Sequence, residues 1–278
     1  MAPHLRSFAK ALDAPFLLPA NLVEFEDSNL FNKSTRATIH NLVNIKYLSF
    51  VCSSYSSGLP HIHLPRLSQL ELCVYLSSVG DAFVTYNHFE LPFLTHLQMI
   101  LICSQMKIPT QVFQPISSST VSSLVLAWFH YPPRIHSVSD IELDLSLLCT
   151  MPNLQFLTVK DCSNINLFLG GLSILSGKKV IFPKMSTLDI NCEHNHDLSE
   201  GLLDMHILVE LLQSRRDHGA LREFYITWER GLVNDDADTC SRWEQLSAPG
   251  GGIQISAFIE GGVTFLILLL STERFVGL

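Results

Sequence analysis

Leu67-Ser68-Gln69-Leu70-Glu71-Leu72 and Leu154-Gln155-Phe156-Leu157-Thr158-Val159 are written to one pattern: an apolar residue, two variable, a second apolar, one variable, a third apolar. Ile45/Leu48/Phe50, Leu94/Leu97/Met99, Val121/Leu124/Leu126, Met185/Leu188/Ile190 and Leu221/Phe224/Ile226 repeat it. The second and third apolar positions alternate with a variable one, the period-two signature of a strand with one buried face. A strand-like unit that recurs along most of a chain predicts a stacked repeat protein.

With the middle apolar residue as marker, the copies stand at 48, 70, 97, 124, 157, 188 and 224, in steps of 22, 27, 27, 33, 31 and 36 residues. A strand with a return helix or loop fits each step, because parallel strands need a crossover of about a dozen residues or more. Four copies carry the same lead-in: Leu64-Pro65-Arg66-Leu67, Leu91-Pro92-Phe93-Leu94, Met151-Pro152-Asn153-Leu154 and Phe182-Pro183-Lys184-Met185. Proline has no amide donor, so it belongs before the ladder begins, and it ends any helix that precedes it. Pro3-His4-Leu5-Arg6-Ser7-Phe8 looks like a further copy, as though the chain began inside an array.

Composition bounds the rest. The 278 residues are 47% hydrophobic and 16% charged, enough for a core and unlike a disordered chain. The formal net charge is -8, with acidic clusters at Glu24/Glu26/Asp27 and Asp235/Asp236/Asp238. No basic run is present to neutralise phosphates, which argues against nucleic acid and anionic membrane surfaces as partners. The N-terminus lacks the pattern of a secretory signal. The most apolar run, Val263 to Leu270, is too short for a helical span. Seven scattered cysteines without an export signal read as reduced thiols, so an intracellular location, cytoplasmic or nuclear, is expected.

Among the return segments, Asp197 to Gly219 is the best helix: Ser199 as N-cap, Leu202, Leu203, Leu208, Leu211 and Leu212 as apolar stripe, Arg215 and Arg216 near the negative end, and Gly219 as stop. Asp140 to Cys149 and Asp236 to Leu246 are shorter candidates. Ser53–Ser57 and Ser117–Ser123 read as loops or loop-to-strand transitions, and Ile253/Ile255 as a last strand.

The variable residues of each strand point away from the core. Stacked in parallel they form columns with neighbours about 4.8 Å apart. The first column is Tyr47, Gln69, His96, Ser123, Phe156, Thr187 and Glu223; the second is Ser49, Glu71, Gln98, Val125, Thr158, Asp189 and Tyr225; the third is Val51, Cys73, Ile100, Ala127, Lys160, Asn191 and Thr227. In a curved array this face is concave and is the usual seat of a partner. The candidate partner-binding residues are therefore Tyr47, Gln69, Glu71, His96, Gln98, Phe156, Thr158, Lys160, Asp189, Glu223 and Tyr225.

Catalytic and metal chemistry find little footing. Cys192-Glu193-His194-Asn195-His196 has zinc-ligating residue types, but it follows a strand where a loop must begin, and the loop is the favoured reading. Gly170-Gly171 and Gly250-Gly251-Gly252 lack the spacing of phosphate loops and read as turns. His61-x-His63 reads as an exposed loop. No nucleophile elbow is present. We expect no catalytic residues, no metal and no cofactor.

Asn153-Leu154-Gln155-Phe156-Leu157-Thr158-Val159-Lys160-Asp161-Cys162-Ser163-Asn164-Ile165 resembles the cysteine-containing leucine-rich repeat, with Cys162 after the strand and Ile165 turning back inward. Such repeats are common in F-box proteins, the substrate receptors of cullin-type (SCF) ubiquitin ligases. The looser proline-led units resemble leucine-rich proteins of mushroom-forming fungi, although several steps exceed the roughly 20–29 residues usual for the repeat. The resemblance implies an α/β leucine-rich-repeat solenoid: a curved parallel sheet on the concave face, irregular helices and loops on the convex face. We expect a single array over 1–256 and an apolar tail over 257–278 that is a cap or disordered. It also implies a non-enzymatic interaction scaffold that binds a protein, as in substrate recognition for a ubiquitin ligase. Phe16-Leu17-Leu18-Pro19 through Phe25 is similar to the opening of an F-box, but no run of helices follows; a ligase adaptor is a partner only if an F-box lies outside this chain. The alternatives are a truncated or orphan repeat protein without a ligase role, and an unrecognised enzyme.

Overall fold

The computed structural model describes residues 7–10, 21–30, 42–53, 62–76, 89–103, 120–130, 151–160, 165–173, 180–192, 203–228, 232–233, 237–248 and 252–259. Its centre is a ten-stranded, wholly parallel sheet of an α/β fold. The ten strands are β1 (Ser7–Lys10), β2 (Glu24–Leu30), β3 (Tyr47–Ser53), β5 (Gln69–Leu76), β7 (His96–Cys103), β8 (Ser123–His130), β9 (Phe156–Lys160), β10 (Thr187–Cys192), β12 (Glu223–Trp228) and β14 (Gln254–Ile259). They lie side by side in chain order. Among the described residues there are also two small parallel pairs, β4 (Ile62–His63) with β6 (Phe89–Glu90) and β11 (Leu203–Asp204) with β13 (Leu232–Val233).

Every marker residue sits in one register row: Phe8, Phe25, Leu48, Leu70, Leu97, Leu124, Leu157, Leu188, Phe224 and Ile255. From Phe25 to Phe224 these markers are buried, together with the first and third apolar residues of all seven phrases. The extra copy read at Phe8 is thus a strand. Strand β2 went unread, because Leu22-Val23-Glu24-Phe25-Glu26-Asp27 carries aspartate in the third apolar place and looks like an acidic cluster. Leu22 and Phe25 are nevertheless buried, so this segment is a repeat and not the opening of a helical motif.

The proline lead-in is a β-turn. Residue i is Leu64, Leu91, Met151 or Phe182, each buried, and its carbonyl accepts from the amide of Leu67, Leu94, Leu154 or Met185 at 3.1–3.2 Å. Proline stands at i+1, where its fixed φ pre-forms such a turn. Leu42 to Ile45 closes in the same way with Val43 in place of proline. The repeat therefore holds a fourth apolar position, three residues before the first. One residue ahead of β5, β7, β8 and β10, the hydroxyls of Ser68, Thr95, Ser122 and Ser186 donate to the carbonyls of Lys46, Ser68, Thr95 and Gln155 in the preceding unit, beside the backbone bonds to the same oxygens.

Among the described residues of the C-terminal half there are three helices: α1 (Ile165–Leu172), α2 (Met205–Asp217) and α3 (Ala237–Ser247). Helix α1 was not foreseen. Gly170-Gly171 lies in its last turn, where burial of Ile165, Phe168, Leu169 and Leu172 along one stripe outweighs the poor helix propensity of glycine. Helix α2 starts later than expected. Its N-cap is Asp204, whose carboxylate accepts from the His206 amide at 2.9 Å, and the preceding Leu203 belongs to β11. Gly219, at φ 71°, stops it as read. Arg215 adds something that the sequence reading did not contain. Its place near the negative end of the helix is as read, but its side chain is fully buried, which that placement does not convey. Helix α3 matches the candidate at 236–246 within one residue at each end.

His63 lies in β4 and not in a loop. Strand β14 runs to Ile259, past the expected array end at 256. The candidate helix over 140–149, His61, residues 193–196 of the cysteine–histidine cluster, Gly250-Gly251 and the tail beyond 259 lie outside the described residues. Among the described residues no helix is long and apolar enough to cross a membrane.

Candidate protein-interaction surface

Backbone pairing decides which outward residues meet. The three columns align residue for residue from β3 to β12. Strand β2 extends the first two by Glu24 and Glu26, and β14 extends them by Gln254 and Ser256. The two glutamates could have been placed from Leu22-x-x-Phe25 alone.

Gln69, His96, Phe156, Lys160 and Tyr225 are exposed; Tyr47, Glu71, Gln98, Thr158, Asp189 and Glu223 are half-buried by their neighbours. Ala127 is an exception in the third column. It is buried, because a methyl group between longer side chains does not reach solvent. Phe156 and Tyr225 stand out, with 46% and 37% of their surfaces exposed on a face that has no covering layer among the described residues.

Hydrogen bonds fix parts of the surface. Tyr47 donates its hydroxyl to Glu71 Oε2 at 2.9 Å, across the first two columns. Thr187 donates to Glu223 Oε2 at 3.2 Å along the first column. Thr95 Oγ1 lies 2.8 Å from His96 Nδ1. Burial, and then the bond to Glu71, push the Tyr47 hydroxyl up to about 12. Burial and the Glu71 charge also raise the Cys73 thiol, which disfavours its reactive thiolate.

Tyr47 carries a direct prediction. The difference between the ultraviolet titrations of the wild type and Tyr47→Phe should show a midpoint near 12 in place of the ordinary 10.0. Glu71→Gln should bring it only part of the way back, because burial is the larger cause. The raised value means that the unfolded chain loses this proton first. The contribution to stability is therefore full below pH 10 and is lost as pH rises through 12. A midpoint near 10 in the wild type would remove the Tyr47–Glu71 bond from solution.

The described residues contain no group of three or more histidine, cysteine or acidic side chains placed to hold a metal ion. Cys192, the one described member of the cysteine–histidine cluster, is the last residue of β10. No protein-family model, no curated protein and no solved structure matches this chain.

Proposed function

We propose that the chain is a leucine-rich-repeat-like solenoid acting as a non-enzymatic scaffold, and that it binds a protein partner on the open, concave face of its sheet. The observation that carries the reading is the exposure of two large aromatic side chains, Phe156 and Tyr225, on that face. Aromatic side chains are enriched at interfaces, and burying one on a rigid sheet supplies large contact area at low entropic cost. The repeating phrase and the unit ending in Cys162 and Ile165 support a role like that of F-box-type substrate receptors. In that role the array would recognise the substrate, and an F-box outside this chain would engage the ligase.

The test is quantitative affinity capture by the wild type and by Phe156→Ala/Tyr225→Ala. Both side chains are exposed, so the double substitution should leave folding intact within about 0.5 kcal/mol per site. It should weaken binding of a specific partner by about tenfold or more. An unchanged set and amount of captured protein would overturn the assignment to this face.

A further inference from the structure

The chemistry of the open face narrows what its partner must present. Its three columns hold Glu24, Glu26, Glu71, Asp189 and Glu223, and Lys160 is their one cation among the described residues. Two of the five acids, Asp189 and Glu223, meet the exposed aromatics on three adjacent strands. Phe156, Thr187 and Glu223 form one register row across β9, β10 and β12; Thr158, Asp189 and Tyr225 form the next on the same face. Phe156 and Tyr225 thus sit at opposite corners of a six-residue patch, two strands apart, or about 10 Å laterally. Asp189 is the register neighbour of Tyr225. Glu223 shares the row of Phe156 and is oriented by the Thr187 hydroxyl.

We infer that the partner lays a basic segment across β9, β10 and β12, seating a lysine or arginine side chain between Phe156 and Tyr225 with its charge on Asp189 and Glu223. This rests on the reading of the open face as the binding surface. A purely apolar anchor would suit the two rings but would strip water from two carboxylates, and the Thr187 bond to Glu223 offsets only part of that cost. An acidic segment would be repelled by them. A basic side chain satisfies both features: its apolar stem covers the rings, its cation lies within cation–π range of about 6 Å, and its donors meet the carboxylates. A second copy of the same chain, at a net charge of -8, presents the wrong sign to this face.

The experiment uses the full chain and three fluorescein-labelled peptides of equal length: serine alternating with arginine, with glutamine and with glutamate. The arginine peptide should bind, with affinity falling as salt rises, and the other two should not. Asp189→Asn/Glu223→Gln should weaken the arginine peptide by about tenfold or more. Glu244→Gln, on the exposed side of α3, should leave it unchanged. Equal binding of the arginine peptide to the wild type and to Asp189→Asn/Glu223→Gln would overturn the cation site. The captured partner separates this inference from its premise. If Phe156→Ala/Tyr225→Ala releases that partner while Asp189→Asn/Glu223→Gln retains it, the open face stands and the cation is wrong; if neither pair matters, both fall.

Discussion

Replacing Arg215 with alanine should lower the stability of the folded chain by about 3 kcal/mol, and replacing it with methionine by about 1–2 kcal/mol. The guanidinium is buried between two pieces of backbone. Its Nε and Nη2 donate to the carbonyl of Leu172 at 3.1 and 2.6 Å, and Nη1 donates to the carbonyl of Phe182 at 3.2 Å. Leu172 is the last residue of α1, so its carbonyl lacks an intrahelical partner and lies at the negative end of the helix. Phe182 opens the turn into β10 at φ 52°, a left-handed conformation that costs a side-chain-bearing residue on the order of 1 kcal/mol. One fork therefore ties the end of α1 to a strained turn from its place in α2. Either substitution leaves both carbonyls without these donors. Methionine costs less than alanine for two reasons: it refills most of the volume, and it removes a charge whose burial is itself unfavourable. That burial lowers the pKa to about 10, far enough above neutrality for the cation to persist at pH 7. Lysine should not rescue, since a point charge cannot reproduce the planar fork. Urea unfolding of the three variants checks the order; a methionine variant as stable as the wild type would remove Arg215 from the forces holding α1 to the array.

Arg215 also marks where sequence reading stops. The phrases exposed strand parity and register because alternation is local: Leu70 and Glu71 alone decide which side of β5 is core. The same local logic put Tyr47, Glu71, Phe156 and Tyr225 on one face and in columns. What failed was non-local. A cation in the last turn of α2 reads only as a partner of its own helix dipole, and nothing near position 215 announces carbonyls 33 and 43 residues upstream. Helix α1 was hidden because two glycines carry more local signal than a stripe whose value depends on α2 packing over it. Strand β2 was lost to one aspartate, although Leu22 and Phe25 kept their spacing. Leu64, Leu91, Met151 and Phe182 are core residues outside the three-position phrase, because the turn that brings each inward breaks the strand alternation. The exposure of Phe156 and Tyr225 depends on the sizes of side chains in adjacent strands, which column membership alone does not convey.

Leu97→Ala should cost about 3–4 kcal/mol, whereas Gln98→Ala, one residue on, should stay within about 0.5 kcal/mol. Leu97 is buried at the centre of the sheet, in register between Leu70 and Leu124. Truncation leaves a cavity walled by two leucines held in neighbouring strands by backbone hydrogen bonds, so the site cannot collapse to refill it. Gln98 is half-exposed on the other face, and its removal opens no void. The position of Leu97 adds a second effect. When units touch mainly their chain neighbours, stability is a sum of unit and interface terms, and a weak middle unit separates the ends. The main sheet has this connectivity, since each strand pairs only with those before and after it in the order. Leu97→Ala should therefore broaden the urea transition or split it in two, while the same truncation at Leu22, near one end of the sheet, should lower the midpoint without splitting it. Two-state unfolding of Leu97→Ala with an unchanged slope would mean that contacts beyond nearest-neighbour strands hold the sheet together, and the helices α1, α2 and α3 would be the place to look for them.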